Sequence, residues 1–304
     1  MSKFKKIPLL LALLLVLAKA SGQATGDDTR GIDGLPEVAF DRLSDKSVTA
    51  LGRAALEIRP TEWKHGETTN FVYHFFHGFV ATPVSVEAEY YYRVVSKELG
   101  KDTSQWERKS HIYIFESPED WAAFQKKASL DPWTGGIHAQ GDLFIQRNPQ
   151  YKFKGRTLGH EITHLVIYRF FGAGVPLWLN EGYAEYASIG AYANYERARG
   201  MAARPQAAGV APADFIPVEK LADTTVYPED INQVRTFYSE SEKLVRFLSA
   251  ESGPGFLLFF EGLSQGNKFE TALQKGYGGR FDGMSGLNRE FEKYATQDLA
   301  APSH

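Results

Sequence analysis

Apolar and polar positions follow two rhythms along the chain. From Thr69 onward, aromatic and β-branched residues gather into short runs of the kind strands make: NFVYHFF over residues 70–76 and HIYIFES over 111–117. Between them TPVSVEAEYYYRVVSKELG, residues 82–100, carries a helical spacing, with Pro83 near its start and Gly100 closing it. SPEDWAAFQKKA opens a further helix, with Ser117 as N-cap and Glu119 and Asp120 in the first turn. WTGGIHAQGDLFIQRN predicts a glycine-rich turn and then a short strand, GDLFIQ. Two helices follow, one through residues 158–166 that ends at Gly172 and Gly174, and one from Pro176 through LWLNEGYAEYASIGAY. Residues 199 to about 230 lack periodicity and predict an irregular crossing. Beyond them FYSESEKLVRFLSAES, PGFLLFFEGLSQG and LNREFEKYATQ all read as helices. Strands with helices first and helices alone afterwards predict an α+β fold, with an N-terminal mixed sheet and a C-terminal helical subdomain.

The first twenty residues stand apart. MSKFKK is basic, IPLLLALLLVLA is a twelve-residue apolar run, and Ala18-Lys19-Ala20 ends it with small residues around a lysine. That layout predicts a secretory signal, because the run is short of the roughly 20 residues a membrane-spanning helix needs. Residues 21–66 then read as a leader or linker, 67–198 as the sheet with the helices that follow it up to residue 198, and 199–304 as the helical subdomain. Loss of residues 1–20 removes four lysines and takes the net charge from −3 to −7. Without a basic cluster, nucleic acid is excluded as an expected partner. The chain has no cysteine, so an exported form relies on its core alone, with no disulfide and no lipid anchor at a cysteine. The expected location is the bacterial periplasm or the medium, with no stable membrane insertion once the signal is gone.

The chemistry concentrates in LGHEITHL, residues 158–165. His160 and His164 are four apart, hence stacked on one helical face, and two imidazoles so placed can converge on one zinc ion. Glu161 points about 100° away around the helix, toward a water on such an ion, the position of a general base. The alternative is a buried helix with hydrogen-bonded histidines. Sixteen residues separate His164 from Glu181, among them a reversal made by Gly172, Gly174 and Pro176. A helix, a tight turn and a second helix return Glu181 to the two histidines as a third ligand, which leaves a fourth position open for water. Glu185, four further on, is either the carboxylate that accepts a ligand histidine's free N–H or a solvent-facing charge. His138 is either a substrate contact or a solvated loop histidine. His74 and His77, three apart in a strand, face opposite ways and share no metal.

HEITH with PLWLNEGYAEY resembles the gluzincin zinc metallopeptidases, in particular their small MA-like families, and it is similar to the WLNEG segment of the zinc aminopeptidases. The resemblance implies a thermolysin-like zincin fold, one catalytic Zn²⁺, and hydrolysis of a peptide or protein substrate. Tyr238, in YSESEKLVRFL, falls where those aminopeptidases carry a tyrosine that donates to the oxyanion; the alternative is a core aromatic. The stretch Gly135-Gly136-Ile137-His138-Ala139 lacks the glutamate with which they grip a free amine, which argues against aminopeptidase specificity. The competing function is a non-catalytic zinc-containing envelope protein that binds peptides or assists assembly.

Overall fold

Among the described residues, five strands form one mixed sheet: β1 (Lys64–Glu67), β2 (Phe71–Phe75), β3 (Ser110–Phe115), β4 (Gly136–Ala139) and β5 (Asp142–Gln146). Their order is β1-β2-β3-β5-β4. The central strands β2, β3 and β5 are parallel, and β1 and β4 pair antiparallel at the two edges. Every residue of β2 and β3 is buried, which is why FVYHF and SHIYIF read as unbroken apolar runs rather than alternating ones. One face, with Phe71, Tyr73, Ile112, Ile114, Leu143 and Ile145, packs on α2 (Gly78–Glu98) and α4 (Arg156–Phe171). The other face, with Tyr113, Phe115 and Phe144, packs on α1 (Ala50–Leu56) and α3 (Pro118–Ala128). This is an α+β architecture.

The computed structural model describes residues 34–105, 108–147, 156–201 and 215–297. The expected signal over 1–20 and the start of the expected leader lie outside these residues. Among the described residues no helix is long and apolar enough to cross a membrane.

Three elements differ from the expectation. Residues 34–66 are no linker. Leu35 joins the main core, α1 covers the sheet, and β1 extends it. Phe40 meets the rings of His65 and His74, and Thr49 donates to Asp142 at 2.8 Å. These anchors are aromatic–imidazole and polar contacts, which leave no hydrophobic period to read. GIHA is a strand rather than part of a turn. The reversal is the two-residue Gln140-Gly141, both at positive φ (55° and 87°), the conformation of a tight hairpin turn. Helix α2 begins at Gly78, four residues before Thr82, so Pro83 lies inside it.

Other boundaries follow local chemistry. Ser117 caps α3 by accepting from Asp120 N–H, with Pro118 at the first helical position. The remaining helices are α5 (Leu177–Ala198), α6 (Val218–Asp223), α7 (Ile231–Glu251), α8 (Gly253–Ser264), α9 (Phe269–Tyr277) and α10 (Gly283–Gln297). Of the expected irregular crossing, residues 202–214 lie outside the described residues, and α6 occupies part of the rest. Helix α5 packs between α4 and α7, and this sandwich positions the site.

Candidate active site

Helix α4 is buried almost all round, with Leu158, Ile162, Leu165 and Val166 in the core. His160 and His164 share the face turned to α5, with their Nε2 atoms 2.9 Å apart. The helix stops at Phe171. Gly172 takes φ +75°, a short 3₁₀ turn spans Gly172–Gly174, and Pro176 leads into α5. This reversal brings Glu181 back to the imidazoles: its Oε2 lies 3.4 Å from Nε2 of His160 and 3.4 Å from Nε2 of His164. Among the described residues this is the one group of three or more His, Cys, Asp or Glu side chains whose ligand atoms lie within 4.8 Å of one another.

The outer ring nitrogens are held as well. Nδ1–H of His164 donates to Oδ1 of Asn180 at 3.0 Å. Nδ1 of His160 lies 3.1 Å from Oε1 of Glu185, whose Oε2 accepts from Arg156 at 2.5 Å. Each ring therefore turns Nε2 inward, and such partners fix the tautomer of a ligating histidine.

Glu161 is buried and points toward β4. The backbone N–H of His138 donates to it. Gly136 makes the room: a Cβ there would fall 3.0 Å from Cγ of Glu161 and 3.2 Å from its Oε1. Burial pushes the Glu161 carboxyl above its ordinary range, against the pull of His160 and His164. Tyr238, on α7, sits with its ring centroid 6.2 Å from that of His160. Burial, and after it the charge of Glu181, keep its phenol protonated, hence a donor.

The model of one protein family spans much of this assembly, matching residues 95–297 under the description Peptidase MA superfamily. The chain belongs to the Peptidase MA superfamily. Membership places it among the peptidases, a class of hydrolase. No curated protein matches it. In this Peptidase MA protein the matched span contains both histidines, Glu161, Glu181, Glu185 and Tyr238.

The donor set fits a metal such as zinc, with which the superfamily is typically associated. Oε2 of Glu181 is buried without a hydrogen-bond partner, yet two imidazole nitrogens face it. Burial opposes charge at both Glu181 and His160, but His164 and then His160 outweigh it at the carboxylate, and Glu181 outweighs it at the His160 ring. The carboxyl is held well below its usual range, and His160, with Glu185 also beside it, rises to about 10. The arrangement therefore calls for positive charge between the rings and the carboxylate. A divalent ion supplies it while leaving both imidazoles neutral, as ligation requires.

The site opens into a cavity of about 370 Å³. Gly136, Ile137 and His138 of β4 line it on one side, and Tyr227, Pro228 and Val234 line it near Tyr238. Trp133, 55% exposed, also lines it. His138 is a β4 residue, not a loop histidine, and its ring packs against Tyr168. His74 and His77 take no part: His74 bonds to His65 and His111, and His77 pairs with Glu116. Sequence reasoning missed Asn180, Arg156 and Tyr227. Asn180 adjoins Glu181 and was readable as part of the same segment, whereas Tyr227 lies in the loop before α7 with no motif around it.

Proposed function

We propose that the protein is an exported zinc metallopeptidase of gluzincin type, with a thermolysin-like site, that hydrolyses bonds within peptides or proteins. The observation that carries this reading is the convergence of Nε2 of His160, Nε2 of His164 and Oε2 of Glu181 beside a buried Glu161, at the floor of an open cavity.

His160, His164 and Glu181 would hold a zinc ion, which would supply Lewis acidity and lower the pKa of the attacking water. Glu161, its proton affinity raised by burial, accepts the proton of the attacking water and passes it to the leaving amine. The His138 backbone N–H keeps that carboxylate aimed. Tyr238 donates its phenolic hydrogen to the oxyanion that forms at the scissile carbonyl. An extended substrate can add to the outer edge of β4, the terminal strand beside the cavity, through main-chain hydrogen bonds. Export rests on the pattern of residues 1–20, and the acidic mature charge argues against a nucleic-acid partner.

The test is a mixed peptide pool incubated with the purified mature protein, with new termini identified by mass spectrometry. New termini that vanish with a chelator and return with zinc support the reading. A pool left intact at equimolar zinc contradicts it.

A further inference from the structure

Tyr227 belongs to no motif, and it sits on the loop between α6 and α7, where it lines the cavity. Its hydroxyl donates to Oε1 of Glu181 at 2.5 Å. Its ring stacks nearly parallel to that of Tyr238, with centroids 6.2 Å apart and planes 8° apart, and Phe237 meets it edge-on at 6.5 Å. The side chain is 48% exposed, while the carboxylate it reaches is 3% exposed. A half-exposed tyrosine on a wall of the cavity thus reaches inward to a buried acid.

The consequence lies in which oxygen it takes. Oε1 of Glu181 is occupied by the phenol, and Oε2 alone is left facing the two imidazoles. The terminal torsion of a glutamate is broad and roughly two-fold, so little else distinguishes its oxygens. We propose that Tyr227 is a positioning residue that presents Glu181 to the metal through one oxygen, keeping the remaining coordination face open for water and substrate. The inference rests on the zinc peptidase reading above. It also ties the loop bearing Val226 and Pro228 to a metal ligand, so that a cavity wall and the ion site are set by one contact.

Tyr227→Phe removes the hydroxyl and keeps the ring and its stacking. Zinc affinity is measured by competition with a chelating dye, and the coordination environment by visible absorption of the cobalt(II)-substituted protein. The melting temperature of the metal-free variant checks folding. The expected result is zinc affinity lowered about 10–100-fold, the usual effect of losing a partner to a ligand, with cobalt bands weakened toward those of higher coordination. Unchanged zinc affinity and a superimposable cobalt spectrum in Tyr227→Phe overturn this inference alone, whatever happens to turnover. A wild-type protein that takes up no zinc overturns the underlying reading and this inference with it.

Discussion

Gly182 lies next to Glu181 where α5 packs close against the backbone of α7. A Cβ at that position would fall 2.4 Å from the carbonyl oxygen of Ser241 and 2.6 Å from its carbonyl carbon. Both are main-chain atoms of α7, so no side chain can swing aside. Gly182→Ala therefore forces the helices apart by about 1 Å, an overpacking that costs about 1–3 kcal/mol, with the upper end expected for a backbone clash. For a domain of this size, 3 kcal/mol lowers the melting temperature by about 6–12 °C. The same displacement moves Tyr238, one turn before Ser241, away from Glu181. A 1 Å misplacement of a catalytic group can cost about 10²-fold, so kcat is expected to fall 10–100-fold. Zinc content should persist, because its ligands come from α4 and α5. Gly190→Ala on the same helix is the control: that residue is exposed and nothing lies within 4 Å of its added Cβ. There the alanine should stabilise by about 0.5–1 kcal/mol. Thermal melts and steady-state kinetics of both variants decide the matter. If Gly182→Ala melts within 1 °C of wild type and keeps its kcat, the close-packing argument is wrong.

Tyr238→Phe should lower kcat about 10²–10³-fold with zinc content intact, and a loss below threefold would remove Tyr238 from the oxyanion role. Glu185→Gln should weaken zinc binding about 10–100-fold, and unchanged affinity would make Glu185 a bystander. Zinc at a thousandfold excess over its dissociation constant should stabilise the fold by about 4 kcal/mol, seen as a melting-temperature rise in calorimetry; no rise means no specific site. A separate pH effect arises across the sheet, where His65 and His74 meet through their Nδ1 atoms at 2.8 Å and His74 Nε2 lies 2.9 Å from His111 Nδ1. Burial lowers the proton affinity of all three, that of His111 to about 4. The unfolded chain then takes up protons from about pH 6.5 downward that the folded chain refuses until about pH 4, so stability falls as pH drops through that window. His111 alone accounts for something on the order of 3 kcal/mol. Asp142, which burial raises to about 6, works in the opposite direction. His111→Asn isolates the effect: urea titrations at several pH values should show a shallower acid slope than wild type, and an equal slope would refute it.

The three side chains that converge at the candidate metal site were readable because each obeys a local rule. His160 and His164 obey helical spacing, and Gly172 and Pro176 mark the reversal that returns Glu181. The central strands were legible for the same reason, being continuous apolar runs. The N-terminal segment was not, since beside Leu35, Ala55, Ile58 and Trp63 its attachment runs through Phe40, Asp45, Thr49 and a row of histidines, contacts between residues distant in sequence. Asp45 Oδ1 lies 3.9 Å from Nε2 of His111, and no periodicity encodes such a pairing. β4 was hidden by Gly136 and the Gly135 before it, which suggest a turn although Gly136 serves to admit Glu161. Tyr227 was hidden for a related reason: its partner is 46 residues away, and only the placement of its loop beside α5 brings the two together.

Glu161→Gln, assayed for bound zinc and for peptide cleavage on the same preparation, tests the central claim most directly. The side chain keeps its shape and loses its capacity to accept a proton. The account predicts about one zinc per chain, as in wild type, with turnover reduced by about 10²–10⁴-fold. A zinc-loaded Glu161→Gln protein that cleaves peptides at the wild-type rate would contradict it.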